Sequence, residues 1–343
     1  MARIDQVRQL SASPADPRLA CLLGGAIGDA LGYRVEFDRW PEIERRYGPS
    51  GIQLRSATGP LVVSDDTQMT LFTLEGMSGA TSTGGIVDEI REAYLDWLET
   101  QGRASAAREP KGRLARCDVM RHARAPGTTC LAALRQGGRG TVERPINDSK
   151  GCGGVMRTAP IGFLPPSVDD ADVFRLGAEV AALTHGHPDG YLPAGAMAVL
   201  VRDALAGLSW ERSVVNVLAL ASAWSRSEAT VAAIMSAAEA AAAGPPSRHR
   251  VERLGQGWVG EEALAVGLYA AMAASSFAEC VELAANHDGD SDSTASIAGQ
   301  LWGARHGLAD IQDDVVSRLD MLAPLFDVFR EWIDCPWSGR LTP

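Results

Sequence analysis

A chain of 343 residues, 46% of them hydrophobic and 36 of them glycine, can bury one large core or two of ordinary size, which excludes a disordered protein. The net charge of −11 argues against a nucleic-acid backbone or an anionic membrane as the main partner. Six cysteines without a CxxC pair or regular spacing, and the lack of a signal peptide, predict reduced thiols in a cytoplasmic protein, which we expect to be a monomer. No apolar run reaches the ~18–20 residues that a membrane span requires.

The first predicted helix begins at Pro17, because proline favours the first turn of a helix, and it follows a polar segment (residues 1–15) that we expect to be loose. Asp29 lies among apolar residues of this helix, where an unpaired carboxylate is costly. We therefore favour its pairing with backbone NH groups of a neighbouring helix. Glu36 and Phe37 follow in a predicted loop that extends to about residue 60. The helix also contains glycines that weaken it by ~1 kcal/mol each and so predict close packing against a neighbour or a ligand: Gly24, Gly25, Gly28 and Gly32.

The next predicted helix opens with the sequence Ser-Asp-Asp-Thr at residues 64–67. A serine before acidic residues is an ordinary helix N-cap, for which one aspartate would suffice. Two adjacent aspartates between hydroxyls also form a set of hard oxygen ligands. Both interpretations stay open at this point. Further helices are expected at about residues 85–100 and 127–136, separated by a basic surface loop at residues 103–126.

Residues 147–157 form a glycine-rich segment that ends in Met156 and Arg157. Successive glycines let backbone NH groups approach a phosphate closely, but a plain turn is an equal alternative. The spacing matches neither the P-loop nor the dinucleotide-binding motif. Nearby, His185 and His187 lie between two predicted helices. Without a third His or Cys close by, ligand hydrogen bonding or a helix C-cap is favoured over a zinc pair.

Helical patterns dominate the remaining sequence, at about residues 168–184, 190–207, 213–223, 228–243, 260–275, 277–286, 293–307 and 314–332. There is no convincing alternating strand pattern and no short repeat. We therefore expect an all-α fold with one domain at residues 16–335 and a C-terminal tail at residues 336–343. Functional residues would lie on loops and at helix ends.

A second acidic cluster stands at residues 288–294, Asp-Gly-Asp-Ser-Asp-Ser-Thr. Its spacing resembles the start of an EF-hand, but position six is Ser293 instead of glycine and position twelve is Gly299 instead of glutamate. A small-residue helix follows, so the cluster stands at a helix N-terminus, either as a metal site or as a cap. Asp288 is expected to act as a cap or to support the ligands. If both clusters face each other, their oxygens could hold two hard cations about 3.5–4 Å apart. Together with an anion-binding loop, this favours a metal hydrolase acting on a phosphorylated sugar or a nucleotide.

These segments occur in an order that resembles the ADP-ribosylglycohydrolase family, which includes ADP-ribosylarginine hydrolases and the dinitrogenase reductase-activating glycohydrolase. The resemblance covers roughly residues 17–307 and implies a compact all-α fold with a dinuclear Mg²⁺ or Mn²⁺ centre at helix N-termini. The matching segments are residues 28–32, 36–37, 64–69, 151–157, 159–162, 184–185, 257–264 and 289–294.

The resemblance also implies roles for individual residues. The metal ligands would be Ser64, Asp65, Asp66, Asp290, Asp292 and Ser293. The catalytic carboxylates would come from Asp65, Asp66, Asp292 and Glu36, the last being an acidic residue that gates the site in some members. The diphosphate and the distal ribose would contact Gly151, Cys152, Gly153, Gly154, Met156, Arg157 and His185, and Trp258 would approach the adenine.

The implied reaction is hydrolysis of the bond between ADP-ribose and an acceptor. Carboxylates suit this reaction, because an oxocarbenium-like centre benefits from fixed negative charge and the leaving group needs a proton. We expect the acceptor to be arginine on a protein, because this acceptor is frequent in the family that the chain resembles. Serine, O-acetyl-ADP-ribose and a nucleic-acid base are alternative acceptors. A catalytically silent ADP-ribose-binding or structural protein and an immunity protein against an ADP-ribosylating toxin are alternatives of another class.

Overall fold

The computed structural model describes residues 16–102, 109–335 and 338. The predicted all-α fold is confirmed: this part of the chain contains no β-strand and only two isolated β-bridges, Leu61 with Leu319 and Gly151 with Val259. The α-helices are α1 (Pro17–Gly32), α2 (Trp40–Tyr47), α3 (Asp65–Gly79), α4 (Ile86–Thr100), α5 (Thr128–Arg135), α6 (Asp170–Ala182), α7 (Pro188–Leu205), α8 (Trp210–Ser222), α9 (Glu228–Ala242), α10 (Arg248–Leu254), α11 (Gly260–Ala273), α12 (Phe277–Ala285), α13 (Ser291–His306), α14 (Asp313–Ser317) and α15 (Leu322–Asp334). Short 3₁₀ helices are Thr83–Gly85, Leu114–Arg116, Asp118–Met120, Cys152–Arg157 and Ala159–Phe163.

Helix α1 packs along α13 more extensively than any other pair of described helices. The glycines of α1 allow this approach, because a Cβ at Gly28 would lie 2.0 Å from the carbonyl oxygen of Ala295. At Gly24 and Gly32 the corresponding Cβ would lie 2.3 Å and 2.1 Å from carbonyl oxygens of α13. The predicted close packing is therefore packing against a neighbouring helix, and it brings the end of α1 next to the start of α13.

The loop predicted after Phe37 is wrong in part, because residues 40–47 form helix α2. Pro41 lies in the first turn of α2, and the Glu42 side chain accepts a hydrogen bond from the Arg39 amide at 2.9 Å. The Asp288 carboxylate accepts a hydrogen bond from the Trp40 amide at 2.5 Å, so Asp288 caps α2. Helix α10 was also missed, because it is a single polar stretch of 7 residues.

The single helix expected at about residues 314–332 is wrong. The chain forms α14 and α15 with a break between them, where Leu61 pairs with the backbone of residues 318–320. Pro324 lies in the first turn of α15, where its missing amide hydrogen costs no intrahelical bond.

The surface loop expected at residues 103–126 is only partly a surface loop. Residues 103–108 lie outside the described residues. The remainder forms two 3₁₀ turns in which Leu114 and Met120 are buried. Arg124 is also buried and binds the Val63 carbonyl at 3.0 Å and the Asp320 carboxylate at 2.6 Å. This segment therefore fixes the chain just before α3.

The buried apolar side chains form one continuous cluster from Leu19 on α1 to Trp332 on α15. The N-termini of α3 and α13 lie within this packed body, because every residue of α13 up to Ala304 is buried. None of the described helices is long and apolar enough to cross a membrane. The expected loose segment at residues 1–15 lies outside the described residues, and the domain limits stay predictions.

Candidate active site

The N-termini of α3 and α13 bring the two acidic clusters close enough for their charges to interact, because Asp292, after the larger effect of burial, raises the pKa of both Asp65 and Asp66. Ser64 caps α3, its hydroxyl accepting a hydrogen bond from the Asp66 amide at 3.2 Å. Asp290 occupies the N-cap position of α13. The six predicted metal-ligand residues are all at most 4% exposed, namely Ser64, Asp65, Asp66, Asp290, Asp292 and Ser293. Buried aspartates in such number need a counter-charge.

Asp29 holds the start of α3 in place. Its carboxylate accepts hydrogen bonds from the Ser64 amide at 2.8 Å and the Thr67 amide at 3.0 Å, and also from the Thr67 hydroxyl. This confirms the interpretation of Asp29 as an acceptor for the backbone of a neighbouring helix. Since Asp29 lies on α1, it ties the α1–α13 pair to α3.

Glu36 belongs to the same acidic cluster. Carboxylate oxygens of Glu36, Asp290 and Asp292 lie within 4.8 Å of one another, and all three residues are buried. The chain forms a turn at residues 33–37, directly after α1, and Glu36 lies there beside the start of α13. The resemblance implies a catalytic or gating role for Glu36 and does not include it among the metal ligands.

Burial raises the pKa of Glu36, Asp290 and Asp292 above their ordinary values, and repulsion from neighbouring carboxylates adds to this effect for Glu36 and Asp290. Burial raises the pKa of Glu36 to about 9, and the charges of Asp292, Asp65 and Asp29 add to this effect. The pKa of Asp66 lies well above its ordinary value, first because of burial and then because of Asp292. A positive charge bound between the groups would oppose both effects.

The donor atoms fit a hard divalent cation. Asp66 Oδ2 and Glu36 Oε2 are buried and find no hydrogen-bond partner within residues 16–102 and 109–335. Unpaired buried oxygen atoms are costly, and coordination of a cation would satisfy them. Carboxylates together with the hydroxyls of Ser64 and Ser293 form a set that suits Mg²⁺ or Mn²⁺ better than Zn²⁺.

The glycine-rich segment lies beside this cluster. Gly151 pairs with Val259, and the Cys152 amide donates to the Trp258 carbonyl at 3.2 Å. The Cys152 thiol donates to Asp290 Oδ2 at 2.7 Å, which links the segment to the acidic cluster. A Cβ at Gly153 would lie 2.9 Å from the His185 ring, so close packing requires glycine here.

Arg157 is the last residue of the glycine-rich segment and is fully buried. Its guanidinium stacks on the Tyr94 ring at 4.4 Å and donates to the Thr184 hydroxyl at 2.7 Å. The Met156 carbonyl accepts a hydrogen bond from the Gln300 side chain at 3.1 Å. These contacts hold the end of the segment against α4 and α13, and contact of Met156 and Arg157 with substrate stays a prediction.

The two histidines have separate roles. His185 is buried, and its Nδ1 lies 2.8 Å from the Thr184 hydroxyl. Burial, followed by the charge of Arg157, lowers the pKa of His185 to about 3, so the ring is neutral at pH 7. His187 caps the N-terminus of α7 by accepting a hydrogen bond from the Asp189 amide at 3.1 Å. The interpretation as a helix C-cap is therefore wrong for His187, which is an N-cap, whereas ligand hydrogen bonding by His185 stays a prediction.

Trp258 is 41% exposed and stacks on Phe37, with the ring centroids 6.3 Å apart and an interplanar angle of 19°. Phe37 is 73% exposed and follows Glu36 directly. Phe37 is not among the predicted site residues. Its position directly after Glu36 is the feature of the sequence that could have indicated an aromatic side chain at the site.

Residues 11–338 match the family model described as ADP-ribosylglycohydrolase. The chain belongs to the ADP-ribosylglycohydrolase family. The resemblance inferred from the motifs is thereby confirmed, and the protein is a hydrolase of the glycosidic linkage of ADP-ribose.

Two curated relatives of this glycohydrolase cover most of its length. The ADP-ribosyl-[dinitrogen reductase] glycohydrolase of Rhodospirillum rubrum is 26% identical over 321 residues, which are 89% of this chain and 91% of the relative. An uncharacterized protein of Archaeoglobus fulgidus is 27% identical over 290 residues, or 83% and 86% of the two chains. A solved structure described as an ADP-ribosylglycohydrolase-related protein complex superposes with a TM-score of 0.61 at 22% identity, covering 92% of this chain and 96% of that one. This likeness supports the fold.

Proposed function

We propose that this glycohydrolase releases ADP-ribose from ADP-ribosylated arginine on protein substrates and that it depends on two Mg²⁺ or Mn²⁺ ions. The observation that supports the proposal best is the buried cluster of Glu36, Asp290 and Asp292 at the start of α13. Asp65 and Asp66 at the start of α3 lie close enough that, after burial, the charge of Asp292 raises the pKa of both. The name of the Rhodospirillum rubrum relative gives a protein as its substrate. We expect the protein to act as a cytoplasmic monomer, without a nucleic-acid partner.

Six residues would hold the two ions: Ser64, Asp65, Asp66, Asp290, Asp292 and Ser293. When bound, such ions polarise water and hold hydroxyl groups of a ribose. The protein contributes rigidity, because Asp29 fixes the start of α3 through two backbone amides and the Asp65 carboxylate accepts the Gly127 amide at 3.1 Å.

Carboxylates of the acidic cluster itself would transfer the protons. Glu36, Asp66 and Asp292 are the candidates, and Glu36 and Asp66 each have a buried oxygen without a hydrogen-bond partner in the described part of the chain. One carboxylate would take a proton from the attacking water, and another would protonate the leaving group. Their fixed negative charge also stabilises an oxocarbenium-like centre at the ribose carbon.

The glycine-rich segment would bind the rest of ADP-ribose. Residues 151–154, together with Met156, Arg157 and the neutral His185, form the proposed site for the diphosphate and the distal ribose. Trp258 offers a half-exposed ring to the adenine. Backbone NH groups and Arg157 supply the positive potential that a diphosphate needs in a protein of net charge −11.

The proposal is tested by incubating the protein with ADP-ribosyl-arginine, ADP-ribosyl-serine and O-acetyl-ADP-ribose in Mg²⁺, Mn²⁺ or EDTA, and measuring free ADP-ribose by chromatography. We expect release from ADP-ribosyl-arginine in Mg²⁺ or Mn²⁺ and none in EDTA. Release from serine or from O-acetyl-ADP-ribose alone would refute the arginine assignment. Undiminished turnover in EDTA would refute the metal dependence.

A double variant, Asp66→Asn with Asp292→Asn, tests the site residues. We expect it to lose all measurable turnover while retaining its helical circular dichroism. Asp172→Asn is the matched control, because Asp172 is a half-exposed residue of α6 that pairs with Arg175 at 2.8 Å. Full turnover by the double variant would rule out the proposed ligand set.

A further inference from the structure

Cys152 lies where the glycine-rich segment meets the acidic cluster. Its Sγ is 2.7 Å from Asp290 Oδ2 and 3.7 Å from the Ser293 hydroxyl. The Met156 Sδ lies 3.8 Å from the same hydroxyl. Two sulfur atoms therefore border one side of a cluster whose other donors are oxygen atoms.

A second observation, independent of the thiol, points to a ligand in the acidic cluster. Asp66 is 2% exposed, and its Oδ2 has no hydrogen-bond partner among the described residues. The Cys152 thiol itself contacts the Asp290 carboxylate and lies beside the Ser293 hydroxyl, so it borders the half of the cluster at the start of α13.

The chemistry of the donors decides which cation fits. Carboxylates alone suit Mg²⁺ and Mn²⁺, whereas a thiolate selects softer ions such as Zn²⁺ and Cd²⁺. A tetrahedral Zn²⁺ with ~2.3 Å to sulfur and ~2.1 Å to oxygen places those two atoms about 3.6 Å apart. The thiol now donates its proton to the carboxylate, with sulfur and oxygen 2.7 Å apart, so replacing that proton by an ion needs a separation about 1 Å larger.

We propose that Cys152 Sγ and the Asp290 carboxylate form a binding site for one thiophilic divalent cation, Zn²⁺ or Cd²⁺, which competes with the hydrolytic ions for Asp290. The S–H bond breaks, the proton leaves to solvent and a sulfur–metal bond forms, without any change in oxidation state. The Ser293 hydroxyl and the unpaired Asp66 oxygen lie in the same cluster. The competition rests on the function proposed above, whereas the binding itself does not.

The test uses the full chain freed of metal with EDTA and then dialysed. Cd²⁺ is added stepwise, and the ultraviolet charge-transfer band of the cadmium–thiolate bond is recorded. Wild-type protein should show the band with one Cd²⁺ per chain. Cys152→Ser should lose the band and bind Cd²⁺ at least about ten-fold more weakly, since even loss of an outer-shell partner costs ~10–100-fold. Cys117→Ser is the matched control and should keep the band, because Cys117 lies away from the site and contacts the Arg113 carbonyl.

A second variant tests whether Asp290 contributes to Cd²⁺ binding or the thiol binds the ion without it. Asp290→Asn keeps the thiol, and we expect it to lose at least about ten-fold in Cd²⁺ affinity as well. An unchanged Cd²⁺ affinity in either Asp290→Asn or Cys152→Ser would overturn the proposal. If thermal unfolding shows that Cys152→Ser is not folded, Cys152→Ala serves in the same comparison.

Competition is measured by repeating the wild-type titration in the presence of Mn²⁺. The apparent Cd²⁺ affinity should fall as Mn²⁺ rises, and independence from Mn²⁺ would overturn the shared use of Asp290. Metal-dependent hydrolysis without a band that requires Cys152 would refute this inference alone. A band that requires Cys152 in a protein that hydrolyses no ADP-ribosyl substrate would refute the proposed function alone.

Discussion

Asp29 illustrates how one buried residue can position a site without belonging to its proposed ligand set. It is fully buried on α1, and its two oxygens accept hydrogen bonds from the Ser64 and Thr67 amides at the start of α3. Burial, followed by the charge of Asp292, raises its pKa to about 7, whereas the hydrogen bonds lower it. The orientation of Asp65 and Asp66 therefore depends on a carboxylate that is not expected to touch substrate.

Replacing Asp29 by asparagine should test this dependence. The amide group turns one acceptor into a donor and directs it at an amide or hydroxyl that also donates, which leaves buried groups unpaired. We expect Asp29→Asn to lose about 1–3 kcal/mol of unfolding free energy in urea and to bind Mn²⁺ more weakly than wild type. Both quantities are measured on the same preparation, by denaturant unfolding and by calorimetric titration.

Asp38→Asn is the matched control for this change. Asp38 is a partly exposed residue that pairs with Arg46 at 2.5 Å, and a pair of this kind contributes about 0–1 kcal/mol. Equal losses of stability in the two variants would contradict the positioning role of Asp29.

At the scale of elements, the contact between α1 and α13 determines where the second cluster lies. Gly28 faces the Ala295 carbonyl oxygen, and a Cβ in its place would lie 2.0 Å from that atom. Gly28→Ala must therefore push the helices apart, and we expect a loss of about 1–3 kcal/mol of unfolding free energy together with a fall in hydrolytic rate. Urea unfolding and the ADP-ribose release assay measure these effects.

The control for Gly28→Ala is Gly79→Ala at the end of α3. A Cβ there would meet only the Glu89 side chain at 3.7 Å, which is an ordinary contact. This variant should be at least as stable as wild type, because alanine favours a helix over glycine. A Gly28→Ala protein as stable and active as Gly79→Ala would show that the tight contact is not required.

Elements with strong local signals were predictable from the sequence. Helix α1 begins at Pro17 as expected, and α3 and α13 begin at the predicted acidic caps within two residues. Helix α2 was not predicted, because its 8 residues include only one buried side chain, Ile43, and its cap comes from Asp288, which is distant in sequence. The break between α14 and α15 depends on pairing with Leu61, which no local pattern reveals.

The site was predictable as two clusters but not as one. Hydroxyls and aspartates at residues 64–67 and 290–294 marked both helix starts, and residue types alone indicated hard cations. The approach of Glu36 to Asp290 depends on the turn after α1, and the bond between Cys152 and Asp290 spans 138 residues. Such contacts follow from tertiary packing, which a single sequence does not show directly.

At the scale of the whole molecule, the acidic cluster opposes folding unless a cation is bound. Burial of Asp65, Asp66 and Asp290 raises the pKa of each well above its ordinary value, so ionised forms are costly near pH 7. A cation that binds only the folded chain stabilises it by ~2.7 kcal/mol at a concentration 100 times its Kd. We therefore expect Mn²⁺ to raise Tm by several degrees relative to EDTA, measured by differential scanning calorimetry.

The double variant Asp66→Asn with Asp292→Asn is the control for that experiment. Removing two carboxylates lowers the electrostatic repulsion within the acidic cluster and also removes two of the proposed ligands. Its Tm in EDTA should equal or exceed that of wild type, and Mn²⁺ should raise it by less. An equal rise of Tm in both proteins would place the ion elsewhere.

Glu75 should make the stability of the protein depend on pH. It lies on α3, and its Oε1 accepts the amides of Arg113 and Leu114 at 2.8 Å and 2.9 Å. Its Oε2 is buried and has no partner among the residues that the structure describes. Burial raises the pKa of Glu75 to about 7 from an ordinary 4.5, although the two amides lower it. Between these two pH values the folded chain keeps a proton that the unfolded chain releases, so the unfolding free energy falls as pH rises from about 4.5 to 7.

Glu75→Gln removes this titration while keeping the oxygen that accepts both amides. The difference in unfolding free energy, variant minus wild type, should therefore grow as pH rises from 4.5 and level off above pH 7. The growth should be about 1–3 kcal/mol, because one pKa unit corresponds to ~1.4 kcal/mol and partial exposure reduces the effect. Urea unfolding in EDTA at closely spaced pH values measures it, and Glu44→Gln on the exposed face of α2 is the control. A difference for Glu75→Gln that is flat with pH, as expected for Glu44→Gln, would show that Glu75 is ionised in the folded protein throughout this range.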